Sequence, residues 1–309
     1  MAIGSELEVQ RRFFAIVATS LAQYIDNQRL SGVTDTTEIE FPSASLDADA
    51  KPRFRMSLPP ALIHRDLGAA HVFYHDVAGR GFEFGLRRFL DLHLRSDDVF
   101  VDVGAHWGIH SLTAATVLPH QVSVVAVEVH PYNAARLRRW VELNGLDGDV
   151  EVIAKGIGER NGVARLWMSG STMGHSLRND GQEPGSQAID VSTTTIDRLI
   201  SERPHLRWRR FVLKIDVEGN ELEALNGAQH LFATEDVAAV IWEKSAFYAP
   251  AQQARRDRAI WEFLDSRGFR HFRMENENLG GRFLPVEDRS VLCNVFSLAP
   301  GFDSKERYG

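Results

Sequence analysis

The chain has 309 residues and a formal net charge of −7, with 44% hydrophobic and 25% charged residues. Such values belong to an ordinary globular enzyme and exclude a disordered or fibrous chain; the negative balance argues against a nucleic-acid backbone or an anionic membrane as partner. The one cysteine, Cys293, can close no internal disulfide and build no cysteine zinc site, which fits a reducing compartment.

In chain order, Val9, Phe13, Ile16, Val17, Leu21, Tyr24 and Ile25 recur at near-helical spacing between Leu7 and Ile25, predicting an amphipathic helix that covers its own core or a second subunit. This start lacks the order of a signal peptide, and no apolar run approaches the roughly 18 residues of a membrane span, so a cytoplasmic protein is expected. Ser31 to Pro60 is rich in Ser, Thr, Asp and Pro and reads as a loop or flap. From about Asp97, strand-like and helix-like runs alternate: VFVDV, HSLTAATVL, VSVVAVE, NAARLRRWVELNG, VEVIAKGIG, FVLKID, ELEALNGAQHLF, VAAVIWEK and RAIWEFLDSRG. That is the pattern of an open, mostly parallel α/β sheet. GVARLWMS and QAIDVSTTTIDRLI form a small β insertion between the third and fourth units, and VLCNVFSL fits an antiparallel closing strand with Cys293 buried in it. The clusters Arg136, Arg138 and Arg139, and Arg207, Arg209 and Arg210, read as solvated faces.

VFVDVGAHWGIHS is a buried strand that ends in a carboxylate and a glycine turn, the place where open α/β sheets bind ligands. Gly104 and Gly108 permit backbone conformations and close ligand approach, and the following helix offers free N–H groups. The G-x-G-x-x-G fingerprint of a dinucleotide site is absent, and Asp102 suits a ligand ammonium better than a diphosphate. Glu128, ending the next strand, can accept both hydroxyls of a ribose. A ribose and an amino-acid ammonium together point to S-adenosylmethionine.

Six blocks in order, VFVDVGAHWGIHSL, VVAVEVHPYNAARLRRWVELNGL, VIAKGIGERNGVARLWM, IDVSTTTIDRLI, FVLKIDVEGNELEALNGA and VIWEK, resemble the FkbM methyltransferases. The resemblance implies a Rossmann-like class I methyltransferase fold, with a seven-stranded, mostly parallel sheet and one antiparallel strand. It implies cofactor contacts from Asp102, Gly104, Ala105, Gly108 and Glu128, with Ile157 and Gly158 near the adenine. His106 stands where the family usually has asparagine, and Val129 where it usually has proline. The expected layout is an extension over 1–85 for capping, acceptor binding or oligomer contact, a methyltransferase domain over 86–300, and a tail over 301–309.

Positioning outweighs proton removal in methyl transfer, because orientation recovers roughly 7–11 kcal/mol of barrier and a general base about 10²–10⁴-fold. Lys214-Ile-Asp-Val-Glu-Gly219 ends a strand beside the crevice; Lys214 there needs a partner among Asp216, Glu218 and Glu243. Asp216 is the first candidate for orienting cofactor or acceptor and Glu218 the second. His175, in STMGHSLRN, is a candidate for taking a hydroxyl proton. His106 and His110 read as packing or capping residues, and Trp107 as a pocket or core residue. Asp216, Glu243 and a histidine have no metal-ligand spacing, so no metal is predicted. The expected activity is O-methylation of a small secondary metabolite or saccharide; transfer to nitrogen or a carboxylate, a binding protein without turnover, a nicotinamide enzyme and, last because the charge balance is wrong for a phosphate track, a nucleic-acid methyltransferase are the competing readings. The acceptor pocket is expected from the extension, the insertion and ENENLGGRF.

Overall fold

Alternate side chains of Val99–Val103 serve two cores, since Val99, Val101 and Val103 pack on one face of the sheet and Phe100 on the other. In the computed structural model this run is a strand buried at all five positions. The structure describes residues 2–30, 38–43, 53–78, 81–169, 171–177, 187–244, 246–275 and 282–302.

The helices are α1 (Ala2–Leu30), α2 (Pro60–Ile63), α3 (Leu67–Ala78), α4 (Phe84–His93), α5 (Ile109–Val117), α6 (Pro131–Leu143), α7 (Ile196–Ser201), α8 (Glu221–Asn226), α9 (Gln229–Thr234) and α10 (Pro250–Asp265). The strands are β1 (Ile39–Pro42), β2 (Arg55–Leu58), β3 (Val99–Val103), β4 (Ser123–Val127), β5 (Val150–Ile153), β6 (Gly156–Ile157), β7 (Gly162–Trp167), β8 (Ala188–Thr194), β9 (Arg210–Ile215), β10 (Asp236–Lys244), β11 (Arg270–Met274), β12 (Phe283–Pro285) and β13 (Cys293–Leu298). No helix among the described residues is long and apolar enough to cross a membrane.

The main sheet runs β12-β11-β13-β10-β9-β3-β4-β5. β5, β4, β3, β9 and β10 are parallel neighbours, and β13 enters antiparallel to both β10 and β11, as VLCNVFSL predicts. The fold is the α/β, Rossmann-like class expected, with one correction: eight strands, two of them antiparallel. The added strand, β12, is three residues long and pairs with β11; a run this short carries no alternation by which a sequence reveals it. It ends in Pro285, as suits a sheet edge.

Four further expectations change. β1 and β2 pair antiparallel within Ser31–Pro60, and Phe41, Met56 and Leu58 are buried; residues 31–37 and 44–52 lie outside the described chain. ELEALNGAQHLF is two helices broken at Gly227, where a Cβ would meet the Gly158 carbonyl oxygen at 2.3 Å. Cys293 is half-buried rather than buried. Of the 301–309 tail, Phe302 is described, and its ring stacks on Phe89 in the core. The expected β insertion supplies β7 and β8, which join β6 in a separate sheet ordered β6-β8-β7.

The N-terminal elements do not stand apart. Val17 and Leu21 of α1, Ile39, Phe41 and Phe73 share one buried cluster with Phe100, Trp107 and Trp140, while α7 to α10 cover the opposite face. The arginine clusters are tied down locally: Arg136 and Arg139 meet Glu38, and Arg209 and Arg210 meet Asp97 and Asp98.

Candidate active site

A crevice opens beyond the carboxyl ends of β5, β4, β3 and β9. Its floor begins with the glycine turn. Gly104 and Gly108 hold φ of +80° and +83°, and a Cβ would meet the Asp216 carbonyl oxygen at 1.7 Å or Leu137 Cδ1 at 2.0 Å. The glycines are therefore required by backbone conformation and by packing against the next strand end and α6.

Asp102 and Lys214 are registered neighbours on β3 and β9 and face the same side. Asp102 is fully buried; its Oδ2 accepts from Ser111 Oγ at 2.6 Å and its Oδ1 lies 3.5 Å from Lys214 Nζ. The Lys214 ammonium also donates to the Gly104 carbonyl at 3.2 Å and lies 3.2 Å from Asp216 Oδ2. Burial alone would lower the Lys214 pKa, but Asp216, Asp102 and Glu83 raise it, so it stays charged. Of the three partners considered for this lysine, Asp216 serves, together with Asp102.

Glu128 ends β4. Its Oε2 accepts from the His106 amide and its Oε1 from the His130 amide, each at 2.8 Å. Both oxygens keep capacity for a further donor. Burial pushes its pKa up to about 7 despite those two amides. Ile157 lines the crevice beyond Glu128, beside Val129, Lys155 and Leu177.

Glu218, at φ +53°, lines the opposite end beside Asp216. Burial, with repulsion from Asp216 and Glu221, raises its pKa to about 7. Glu221 is also raised to about 7 by burial, and Glu243 to about 8 by burial and by Asp216, Glu218, Glu221 and Glu83. These raised values mean that the carboxyls behind this end of the crevice hold protons near neutral pH, and of them only Glu218 lines it beside Asp216. No group of three His, Cys, Asp or Glu among the described residues has metal-holding geometry.

A roof comes from Thr172, Met173, Gly174, His175 and Leu177 of the insertion. Thr172 donates through N and Oγ1 to Asp66 Oδ2 and Oδ1, each at 2.7 Å, and its carbonyl accepts from Asn133 Nδ2 at 2.9 Å. Asn133 Oδ1 in turn accepts from Trp107 Nε1 at 3.0 Å, which makes Trp107 a core residue. Ser176 Oγ donates to the Glu218 carbonyl at 2.9 Å.

His175 lines the crevice and stacks on His130 at 4.2 Å, but its Nδ1 accepts from the Ser169 amide at 3.0 Å. Burial and His130 lower its pKa to about 4. The neutral ring therefore carries its proton on Nε2 and presents a donor, which corrects the expectation that it takes a proton.

Of the expected residues, Gly104, Ala105, Glu128, Ile157, Asp216, Glu218 and His175 line the crevice, and Asp102, Gly108 and Gly158 do not. Sequence reasoning missed Phe82 and Glu83, which wall it, and Asp66. Residues 178, 179 and 276–281, expected at the acceptor pocket, lie outside the described chain.

The crevice, with Glu128 in its wall, lies where the parallel strands β5, β4, β3 and β9 end. The methyltransferase FkbM domain matches residues 102–271. The chain belongs to the FkbM methyltransferase family. It is 26% identical over 205 residues to the methyltransferase sdnD of Sordaria araneosa, covering 55% of this chain and 79% of that protein. Among solved structures it is similar to the methyltransferase FkbM of Methylobacillus flagellatus, with 18% identity and a TM-score of 0.41 over 67% of this chain. That match spans 45% of the other chain, less than half its length. An O-methyltransferase of Bacillus cereus, solved with S-adenosylhomocysteine, matches at 13% identity and a TM-score of 0.41, covering 75% of this chain and 86% of that one. As a member of its family the chain is a methyltransferase, and S-adenosylmethionine is the methyl donor the family implies.

The FkbM residues fit that donor. Glu128 retains acceptor capacity toward two hydroxyls, Ile157 and Leu177 offer an apolar end, and the far end is rich in carboxylates.

Proposed function

We propose that this FkbM methyltransferase transfers a methyl group to a hydroxyl of a small neutral acceptor, such as a saccharide or secondary metabolite. The observation that carries this reading is the pair of carboxylates beyond β9: Asp216, whose charge Lys214 holds at 3.2 Å, and Glu218, poised to gain or lose a proton near pH 7. A hydroxyl must lose its proton as it attacks, so a group titrating near neutrality is useful to it. A carboxylate acceptor arrives already ionised and is repelled by Asp216 and, once it has lost its proton, by Glu218.

In this reading Glu128 holds the ribose hydroxyls, Ile157 packs against the adenine with Gly158 behind it, and Gly104 and Ala105 form the floor. Asp102 and Gly108 act by fixing Lys214 and the turn. The donor, when bound, supplies a methyl on a sulfonium, activated as an electrophile. Asp216 orients the acceptor, Glu218 takes the hydroxyl proton, and the His175 Nε2–H donates to acceptor or cofactor. The roof keeps water from the bond being made.

Incubation with S-adenosylmethionine and a panel of sugars, phenols and aliphatic alcohols, read by mass spectrometry and NMR, tests the reading. A product with a methoxy resonance is expected. N-methyl or methyl-ester products, or cofactor bound without any transfer, would overturn it.

A further inference from the structure

An ammonium group needs a carboxylate that it can touch, and Asp102 cannot be touched. It is fully buried, absent from the crevice wall and shared between Ser111 and Lys214. Asp216 reaches the crevice with its side chain 27% exposed, but its charge is matched by Lys214. Glu83 also lines the wall, with its side chain 28% exposed. His110 Nε2 lies 2.5 Å from Glu83 Oε2 and braces one oxygen.

Three further observations converge on Glu83. It sits at φ +48° and ψ +48°, a left-handed conformation costly for a residue with a side chain. Three of the six non-glycine residues with positive φ among those described, Glu83, His106 and Glu218, wall this one crevice. His110 is 95% buried by its 5% exposure and lines the same wall, and its Nδ1 has no hydrogen-bond partner. Burial pushes the Glu83 carboxyl up, yet His110, Lys214 and His106 hold it below the usual range, so it is ionised at neutral pH.

Position follows from strand order. Ile157, Glu128, Gly104 and Asp216 follow β5, β4, β3 and β9, neighbours in the sheet. A ligand with its adenine by Ile157 and its ribose on Glu128 extends its amino-acid end toward β3 and β9, and Glu83 lies at that part of the wall, in contact with His110 of α5, the helix that follows β3.

We propose that Glu83, braced by His110, is the carboxylate that receives the amino-acid ammonium of S-adenosylmethionine, in place of the buried Asp102. This rests on the reading that the crevice holds the family's methyl donor with its ribose on Glu128. Glu83 lies outside the FkbM-matched span, so a residue of the N-terminal region completes the cofactor site.

Calorimetry with two ligands tests it. S-adenosylhomocysteine carries the amino acid, and 5′-methylthioadenosine has the same nucleoside and sulfur without it. Glu83→Gln should weaken S-adenosylhomocysteine by at least about tenfold, as loss of a charge-assisted contact does, and leave 5′-methylthioadenosine within about twofold. Glu83→Asn, better suited to the left-handed backbone, should give the same split if the glutamine variant folds poorly. Unchanged affinity for both ligands, or equal weakening of both, would overturn the assignment. Wild-type protein that binds neither ligand would overturn the cofactor reading itself.

Discussion

Glu218 and Asp216 differ by two positions, yet their surroundings give them different chemistry. Asp216 lies 3.2 Å from the Lys214 ammonium, whereas burial and the neighbouring like charges raise the pKa of the half-buried Glu218 to about 7. As a proton acceptor Glu218 must be ionised, so single-turnover methyl transfer should rise as pH increases through about 7. In Glu218→Gln that limb should vanish and the rate above it should fall by about a hundredfold. Rapid-quench measurements across this range check the expectation, and an unchanged limb would assign the titration to Glu128, Glu221 or Glu243. The carboxylates after β4 and β9 were legible in the sequence because strand period and a glycine turn mark where strands end. The donor role of His175 was not, because it depends on the Ser169 amide holding Nδ1.

At the scale of elements, the roof over the crevice is fastened by a residue from the opposite side of the sequence. Asp66 Oδ1 accepts the Ala69 amide in the first turn of α3 at 2.8 Å, and the same carboxylate takes both donors of Thr172, 106 residues away. Thr172→Val removes one charge-assisted hydrogen bond, worth about 1.5–3 kcal/mol. Both Thr172→Val and Asp66→Ala should weaken S-adenosylhomocysteine, although Asp66 does not line the crevice. If the roof acts as one unit, the double variant should bind no more weakly than Asp66→Ala. Additive losses in a calorimetric double-mutant cycle would show that the two act separately. The insertion was visible in the sequence as a β segment; its docking on α3 was not, since a single Asp in a polar loop carries no periodic signal.

Over the whole molecule, four carboxyls, the buried Glu128 and Glu221 and the half-buried Glu218 and Glu243, have pKa values raised to about 7 or 8. A raised carboxyl pKa means that the folded state holds more protons than the unfolded one between about pH 4.5 and pH 8, so its contribution to stability is lost as pH rises through the folded pKa. His106 and His175, lowered to about 3 and about 4, act oppositely, but only below the unfolded histidine value near 6.5. From pH 6.5 to pH 8 the carboxyls dominate, and the ligand-free protein should lose roughly 1–3 kcal/mol of unfolding free energy. Urea titrations at the two pH values check this; constant or rising stability would place the four carboxyls in a more solvated state.

The sequence by itself determined the parallel sheet, the antiparallel closing strand, the glycine turn and the Glu128 carboxylate. Each of these is set within a few residues by side-chain alternation, by glycine's access to positive φ or by the position where a strand stops. Only the tertiary structure decided that Asp102 is buried outside the crevice wall, that β1 and β2 pair within a segment without periodicity, that Glu83 walls the crevice and that Asp66 fastens its roof. Those outcomes depend on which distant surfaces bury one another: Glu83 meets His110 across 27 residues, and α1 shares a core with Phe100. Burial of a carboxylate is likewise a property of everything packed around it, so Asp102 and Glu83, both acidic residues in apolar surroundings in the sequence, part company only once the chain is folded.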